Sequence, residues 1–220
     1  RSDIGGTWDL FQYPGIRSDS DMHTLGFSFK PWTDAKAIAD GPSIKSYLKE
    51  TVDEYDLYPH ILFDHKVMDY SWSSVSKTWT VSLLEEGREK SLSCNFLMIC
   101  SGYYNYDKGY TPPIEGIENY RGTLVHPQHW PKDLEIDNKK IVVIGSGATA
   151  MTIVPNVAEQ ASKVTMLQRS PTYVVARPDQ DAIANFLRKW LPSKLAYSIT
   201  RLKNTWLQSF MYKRMRAKPE

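Results

Sequence analysis

The chain has 220 residues, room for one sizeable domain or two small ones. Its 41% hydrophobic and 24% charged residues are the proportions of an ordinary soluble globular protein. A formal net charge of +2 argues against an acidic partner such as nucleic acid. In chain order, residues 1–35 read as irregular, punctuated by Gly5-Gly6, Pro14-Gly15 and Pro31. Over residues 41–56, Ile44, Leu48, Val52 and Tyr55 recur at helical spacing. Three extended runs follow, HILFDHKVMDYSW, KTWTVSLLEEG and KSLSCNFLMICSG, with Gly87 in the turn between the last two. They predict a β-meander, a common insertion in α/β domains. Residues 103–138 are again irregular and rich in Tyr, Pro and Gly. Lys140–Ile144 then reads as a strand, Ala148–Ala161 as a helix and Lys163–Gln168 as a second strand. From Asp181 the pattern is helical, with Leu195, Ile199, Leu202 and Trp206 falling at i, i+4, i+7 and i+11.

Cys94 and Cys100 lie in one extended run, which would set them roughly 20 Å apart, too far to bridge. They read as reduced core residues in a reducing compartment. With no apolar stretch of membrane-span length and no visible signal peptide, the reading is a cytoplasmic protein. The chain begins at Arg1 on a Gly-rich segment and stops at Glu220 just after a helical pattern, as a fragment of a longer protein would. Seven Trp and thirteen Tyr suit a pocket for flat ligands, although a large core accounts for them almost as well.

Gly145-Ser146-Gly147-Ala148-Thr149-Ala150 is a G-x-G-x-x-A turn with a strand before it, a helix after it and a second strand about 20 residues on. In such a turn the first glycine permits the bend, the second lets the backbone approach a pyrophosphate, and the small third residue allows close helix–strand contact. The helix N-terminus adds N–H groups and partial positive charge. The second strand ends in Gln168-Arg169-Ser170, where an NAD site usually carries Asp or Glu. An arginine and a hydroxyl suit a 2′-phosphate, so the expected nucleotide is NADPH. Arg169 as a solvated surface residue is the alternative.

The segments GGTWD, YPGIRSD, LMICSGYYN and YRGTLVHPQHWP together resemble the flavin-dependent monooxygenases of the Baeyer–Villiger type. Tyr120-x-Gly122-x-x-x-His126-x-x-x-Trp130-Pro131 is similar to that family's fingerprint F-x-G-x-x-x-H-x-x-x-W-[P/D], with Tyr in place of Phe. The resemblance implies an α/β chain that is a fragment of a flavoprotein with two Rossmann-like dinucleotide-binding domains. Residues 1–125 would be the remainder of the FAD-binding domain, carrying the meander. Residues 126–220 would be the linker and the first part of the NADP-binding domain, with a helical subdomain from about 181.

Residue by residue, the resemblance implies that Thr7, Trp8, Asp9, Leu10, Asp19 and Val67 contact FAD. Arg17, Ser18 and Asp19 would face the nicotinamide cofactor. Gly145, Ser146, Gly147, Ala148, Thr149, Ala150 and Met151 would hold NADPH together with Arg169 and Ser170. Asp19 would tune an arginine that stabilises the peroxide, itself expected beyond residue 220. Gly122, His126 and Trp130 would belong to a linker that couples cofactor binding to domain movement. On the residues alone, Trp8 and Trp130 are equally well core aromatics, His126 is first a hydrogen-bonded structural histidine, and Arg17 with Asp19 could form a local ion pair. No histidine set has a metal-ligand spacing, so no metal is expected.

The implied reaction inserts one oxygen atom from O₂ into ketones to give esters, or oxidises sulfides and thioamides, through a C4a-(hydro)peroxyflavin. An upstream FAD fingerprint is expected before Arg1, so these residues alone should bind FAD poorly. Two alternatives are an N- or S-oxygenating flavoprotein and an inactive nucleotide-binding fragment. The stretch Ala182–Pro219 has no acidic residue but carries Arg188, Lys189, Lys194, Arg201, Lys203, Lys213, Arg214, Arg216 and Lys218, interleaved with Trp190, Trp206 and Phe210. It reads as a helical subdomain packed on the NADP part with a solvated basic face. Peripheral contact with an anionic membrane is the other reading.

Overall fold

Two glycines in positive-φ conformations, Gly5 (118°) and Gly6 (53°), turn the N-terminal chain into a single helical turn, α1 (Thr7–Leu10). This computed structural model describes residues 1–170, 174, 176 and 178–217. A second short helix, α2 (Met22–Leu25), is capped by Asp21, whose carboxylate accepts the Thr24 N–H at 3.1 Å. The segment expected to be irregular is thus anchored at both short helices. Helix α3 (Gly41–Glu54) starts where Asp40 accepts the Ser43 N–H at 2.8 Å and Pro42 occupies the first turn. Its inward face is Ile44, Tyr47, Thr51 and Val52, with Leu48 half-buried. Tyr55 is instead exposed at the C-cap, edge-on to Phe29.

The meander forms as expected. Strands β1 (His65–Ser73), β2 (Thr78–Glu85) and β3 (Arg88–Cys94) pair antiparallel in that order. Trp72 opposes Trp79 and Tyr70 opposes Val81. A two-residue turn, Glu86 (φ 49°) and Gly87 (φ 77°), closes the second hairpin. The third run ends early: β3 stops at Cys94, opposite Trp79 near the start of β2. Beyond it Phe96 and Met98 are exposed. Cys94 is half-buried and Cys100 exposed, so the free thiols are not core residues, contrary to the sequence expectation.

The βαβ unit is β4 (Lys140–Ile144), α4 (Ala148–Ala158) and β5 (Lys163–Leu167), with the strands parallel and in register from Lys140↔Lys163 to Ile144↔Leu167. Helix α4 packs Ala150, Ile153 and Val157 inward and ends three residues before the expected boundary. Along both strands half-buried and exposed positions alternate, and the apolar Val142, Ile144 and Leu167 stay exposed. A parallel sheet covered on one face only is unusual, since such sheets are ordinarily buried on both.

The helical tail is α5 (Ala182–Trp190), capped by Asp181, and the 25-residue α6 (Ser193–Ala217). It docks on the N-terminal segment, not on the βαβ unit as the sequence suggested. Tyr197 completes the core of Met22, Trp32, Ala39, Ile44 and Tyr47. Its hydroxyl donates to the Phe27 carbonyl at 3.0 Å, and Arg201 Nη1 lies within 3.1 Å of the carbonyls of His23, Thr24 and Gly26. The expected docking stripe is inverted. Leu195, Ile199, Leu202 and Trp206 all face solvent, and the buried face is Ala196, Tyr197, Thr200 and Asn204. Beside the core that takes Tyr197, the surface that receives α6 presents backbone carbonyls and the Asp21 carboxylate, which Arg201 and Asn204 satisfy and apolar side chains would leave unpaired. Lys218 lies outside the described residues.

The Ser43 N–H, donating to the Asp40 carboxylate, is the main reason that its pKa lies below the ordinary value of 3.8. The cap's contribution is therefore full above about pH 4 and is lost as pH falls through the lowered value. Asp40→Ala is expected to cost about 1 kcal/mol in urea unfolding at pH 7. Asp40→Asn should keep most of that stability and remove this acid dependence.

Candidate functional site

The glycine turn has the geometry that phosphate approach needs. Gly145 sits at φ 128°, and its N–H donates to the Leu167 carbonyl at 2.8 Å, locking the turn across the two strands. Gly147 is the N-cap of α4 and no side chain caps the helix. The first-turn N–H groups therefore have no acceptor within the helix. A methyl group built on either Gly145 or Gly147 would meet no atom within 4 Å, so the cradle is open space bounded by backbone. Ala148 is exposed, Ser146, Thr149 and Met151 are half-buried, and Ala150 is buried against the sheet. Arg169 and Ser170 are exposed just after β5, on the side of the sheet where the turn opens. These residues fit a nucleotide pyrophosphate with a further phosphate near Arg169.

The N-terminal loop abuts this unit. Gly15 lies so close to α4 that an added methyl would sit 2.0 Å from the Asn156 amide nitrogen. Burial raises the pKa of Tyr13 against an opposing hydrogen bond with Thr149, and the Asp19 charge raises it further. The phenol thus stands between the helix's first turn and the Arg17–Asp19 loop. Tyr104 is pushed up to about 12, chiefly by its hydrogen bond with Tyr103 and by burial, with Tyr13 and Asp19 adding to the shift. Tyr13, Tyr103 and Tyr104 were not singled out in the sequence as site residues. The only signal was the density of Tyr in segments otherwise read as loops.

Within the loop, Arg17 and Asp19 are exposed and Ser18 is 2% exposed between them. The Ser18 hydroxyl accepts the Ala39 N–H at 3.1 Å, and its own N–H donates to the Ala39 carbonyl at 2.8 Å. Ser18 therefore points inward while its neighbours point out. The alternative Arg17–Asp19 ion pair does not form, and each side chain faces solvent.

On α1, Thr7 shares a hydrogen bond of 3.0 Å with the Tyr106 hydroxyl, and Trp8 packs against the core. Asp9 accepts from Lys45 at 2.6 Å, and Leu10 is half-buried. Val67 is exposed beside the bulge in β1. His126 Nδ1 accepts the Gln128 N–H at 3.2 Å, and its ring lies against the backbone of Gly109. Gly122 gives room to the Tyr120 ring, whose hydroxyl would lie 2.3 Å from an added methyl. Trp130 is half-buried at the end of the turn Pro127–His129. Among the described residues no group of three His, Cys, Asp or Glu side chains could hold a metal ion, and no helix is long and apolar enough to cross a membrane.

Residues 27–218 match the family model described as flavin-binding monooxygenase-like. The chain is 55% identical over 213 residues to the FAD-containing monooxygenase EthA of Mycobacterium tuberculosis, covering 96% of this chain and 44% of that protein. It is 48% identical to the probable FAD-binding monooxygenase AlmA of Acinetobacter baylyi, over all of this chain and 45% of that one. Thus the chain spans less than half the length of these curated relatives. Among solved structures, an oxidized steroid monooxygenase bound to NADP superposes with a TM-score of 0.68 at 31% identity, over 79% of this chain and 34% of that one. A cyclohexanone monooxygenase from Rhodococcus bound to NADP⁺ gives 0.66 at 27%, over 79% and 33%.

The two glycines are expected to respond differently. Gly145→Ala forces a side chain into φ 128° and should cost about 1–3 kcal/mol. Gly147→Ala, at φ −75° with open space around it, should leave the thermal midpoint of the protein within about 2 °C of the parent.

Proposed function

Since the chain belongs to the flavin-binding monooxygenase-like family, we propose that it is the part of an FAD- and NADPH-dependent monooxygenase where the two dinucleotides face each other. One observation carries this reading. Gly15, two residues before Arg17, packs against Asn156 of α4, and the neighbouring Tyr13 is influenced by both Thr149 and Asp19, so the glycine-turn unit and the Arg17–Asp19 loop adjoin one another. In this reading residues 1–125 complete an FAD-binding domain and residues 126–220 begin an NADP-binding domain. The backbone of Gly145–Met151 binds the pyrophosphate of NADP, and Arg169 with Ser170 takes the 2′-phosphate. Arg17 and Asp19 project to the nicotinamide, held there by the inward Ser18. Thr7–Leu10, Asp19 and Val67 border the flavin.

When bound, the flavin supplies oxygen activation after hydride transfer from the nicotinamide. The chain's own contribution is binding, orientation and exclusion of water. Arg17 offers a positive charge, and Asp19 an acceptor, to the polar end of the nicotinamide. Tyr13, Tyr103 and Tyr104 wall the same surface, and the Tyr13 and Tyr104 hydroxyls, raised above the ordinary phenol value, stay protonated. For the substrate we propose ketones converted to esters, with sulfur oxidation of sulfides or thioamides as a further activity. Likeness to a steroid and a cyclohexanone monooxygenase supports the ketone.

The exposed row Leu195, Ile199, Leu202 and Trp206, flanked by the exposed Lys194 and Lys213, supports the peripheral contact with anionic lipid. Co-sedimentation with phosphatidylglycerol vesicles is then expected at low salt and release at high salt. The absence of binding at low salt rejects it.

Purified full-length protein is expected to carry FAD absorbance and to oxidise NADPH faster when cyclohexanone is added. Arg169→Ala should raise the Kd for NADPH about tenfold or more and leave that for NADH nearly unchanged. Equal affinity of the unaltered protein for both nucleotides would count against the role given to Arg169.

A further inference from the structure

The back of the Arg17–Asp19 loop is tied to a part of the chain 160 residues away. The tie begins in the backbone. Residues 36–40 are hydrogen-bonded on both edges. On one edge Ser18 N–H donates to Ala39 O (2.8 Å) and Met22 N–H to Ala37 O (2.7 Å). On the other, the N–H groups of Ala37 and Ile38 donate to Asp179 O at 2.7 and 3.0 Å, and Lys36 bridges Gln180. Side chains then close the same connection. Asn204, 2% exposed, donates to Asp21 Oδ1 at 2.9 Å and to Asp181 Oδ2 at 3.4 Å. Gln208 donates to the other Asp21 oxygen at 3.2 Å, and Lys203 reaches both Asp181 oxygens at 2.9 and 2.7 Å.

Two inward carboxylates bridged by one amide are a poor way to gain stability, because an apolar filling of the same volume would avoid the desolvation. What such a cluster does supply is a single geometry: each oxygen has its own donor, and a shift of the loop breaks several charge-assisted bonds together. Apolar packing does not fill this contact, for Asp21, Ala37, Ile38, Gln180 and Asp181 border a cleft of about 290 Å³. Position here is therefore set by the polar cluster.

We infer that Asn204, Asp181 and Lys203 are positioning residues: through Asp21 they hold the Arg17–Asp19 loop in place against Asp179–Asp181. The inference rests on the reading of Arg17 and Asp19 as the nicotinamide-facing pair. The nicotinamide end of a bound NADP would then meet a loop whose position this cluster fixes. Burial opposes the charge on Asp181, yet Lys203, the Ala184 N–H and Asn204 outweigh it and keep its pKa below the ordinary value. Asp181 is thus held as a carboxylate at neutral pH.

The test uses full-length, FAD-loaded protein with two readouts, the Kd of NADP⁺ and amide hydrogen exchange of the peptide containing Ser18 and Met22. Asn204→Leu is expected to raise the Kd about tenfold and to speed exchange in that peptide about tenfold, with flavin content unchanged. Lys203→Met, at a half-exposed position that folding tolerates, should give a smaller change in the same direction, about threefold in each, and Lys203→Arg should restore both. Unchanged exchange in the Lys203→Met peptide overturns the inference, as does acceleration spread evenly over all peptides in step with a lower thermal midpoint. If the unaltered protein binds no NADP⁺, the nucleotide reading fails, while the exchange measurement still decides the positioning role.

Discussion

A five-residue stretch, Lys36–Asp40, hydrogen-bonded both to the Ser18–Met22 segment and to Asp179–Gln180, is the constraint on which the rest of the molecule depends. Backbone groups in this segment take the N–H of Ser18 and Met22 on one side and the Asp179 carbonyl on the other. It has too few residues to be a sheet by itself. Its stability comes from the core directly beneath it, where Ala39 packs with Met22, Trp32, Ile44, Tyr47 and Tyr197. That core draws one of its largest members, Tyr197, from the far end of the chain. Removing α6 from the N-terminal segment would therefore open both the core and the segment's hydrogen-bonded frame.

The candidate site sits on the outer side of this frame. The loop presents Arg17 and Asp19 because Ser18 between them turns inward and is bonded twice to Ala39. On the other side of the seam the glycine turn is equally constrained, by Gly145 bonding to Leu167 across the parallel pair. Tyr13 and Gly15 span the gap, one against Thr149 and the other against Asn156. Two rigid backbone arrangements meeting over a tyrosine-lined surface suit the proposed binding of two extended, charged nucleotides at close quarters.

Helix α6 shows where periodicity misleads. Leu195, Ile199, Leu202 and Trp206 have the spacing of an inward stripe, yet they face out. Part of the partner surface is made of backbone carbonyls and a carboxylate, and Arg201, Asn204 and Gln208 donate to them. A hydrophobic pattern identifies which residues share a face. It does not identify which face meets the protein when the receiving surface is polar.

The local elements were legible from the residues alone. The meander, the helix over 41–54 and the strand–turn–helix–strand around Gly145 follow from β-branched runs, caps and glycines whose effects act within a few residues. The fingerprint from Tyr120 to Trp130 and the glycine turn named the family for the same reason: each motif is contiguous. Tertiary structure alone decided that Ser18 is buried while Arg17 and Asp19 are not, that Tyr13 joins Thr149, that the cysteines lie outside the core, and that Asn204 bridges Asp21 and Asp181. These relations link residues from 23 to 183 positions apart or turn on burial. Which acceptor a side chain finds at that distance depends on how separate segments dock, and no spacing along the chain encodes it.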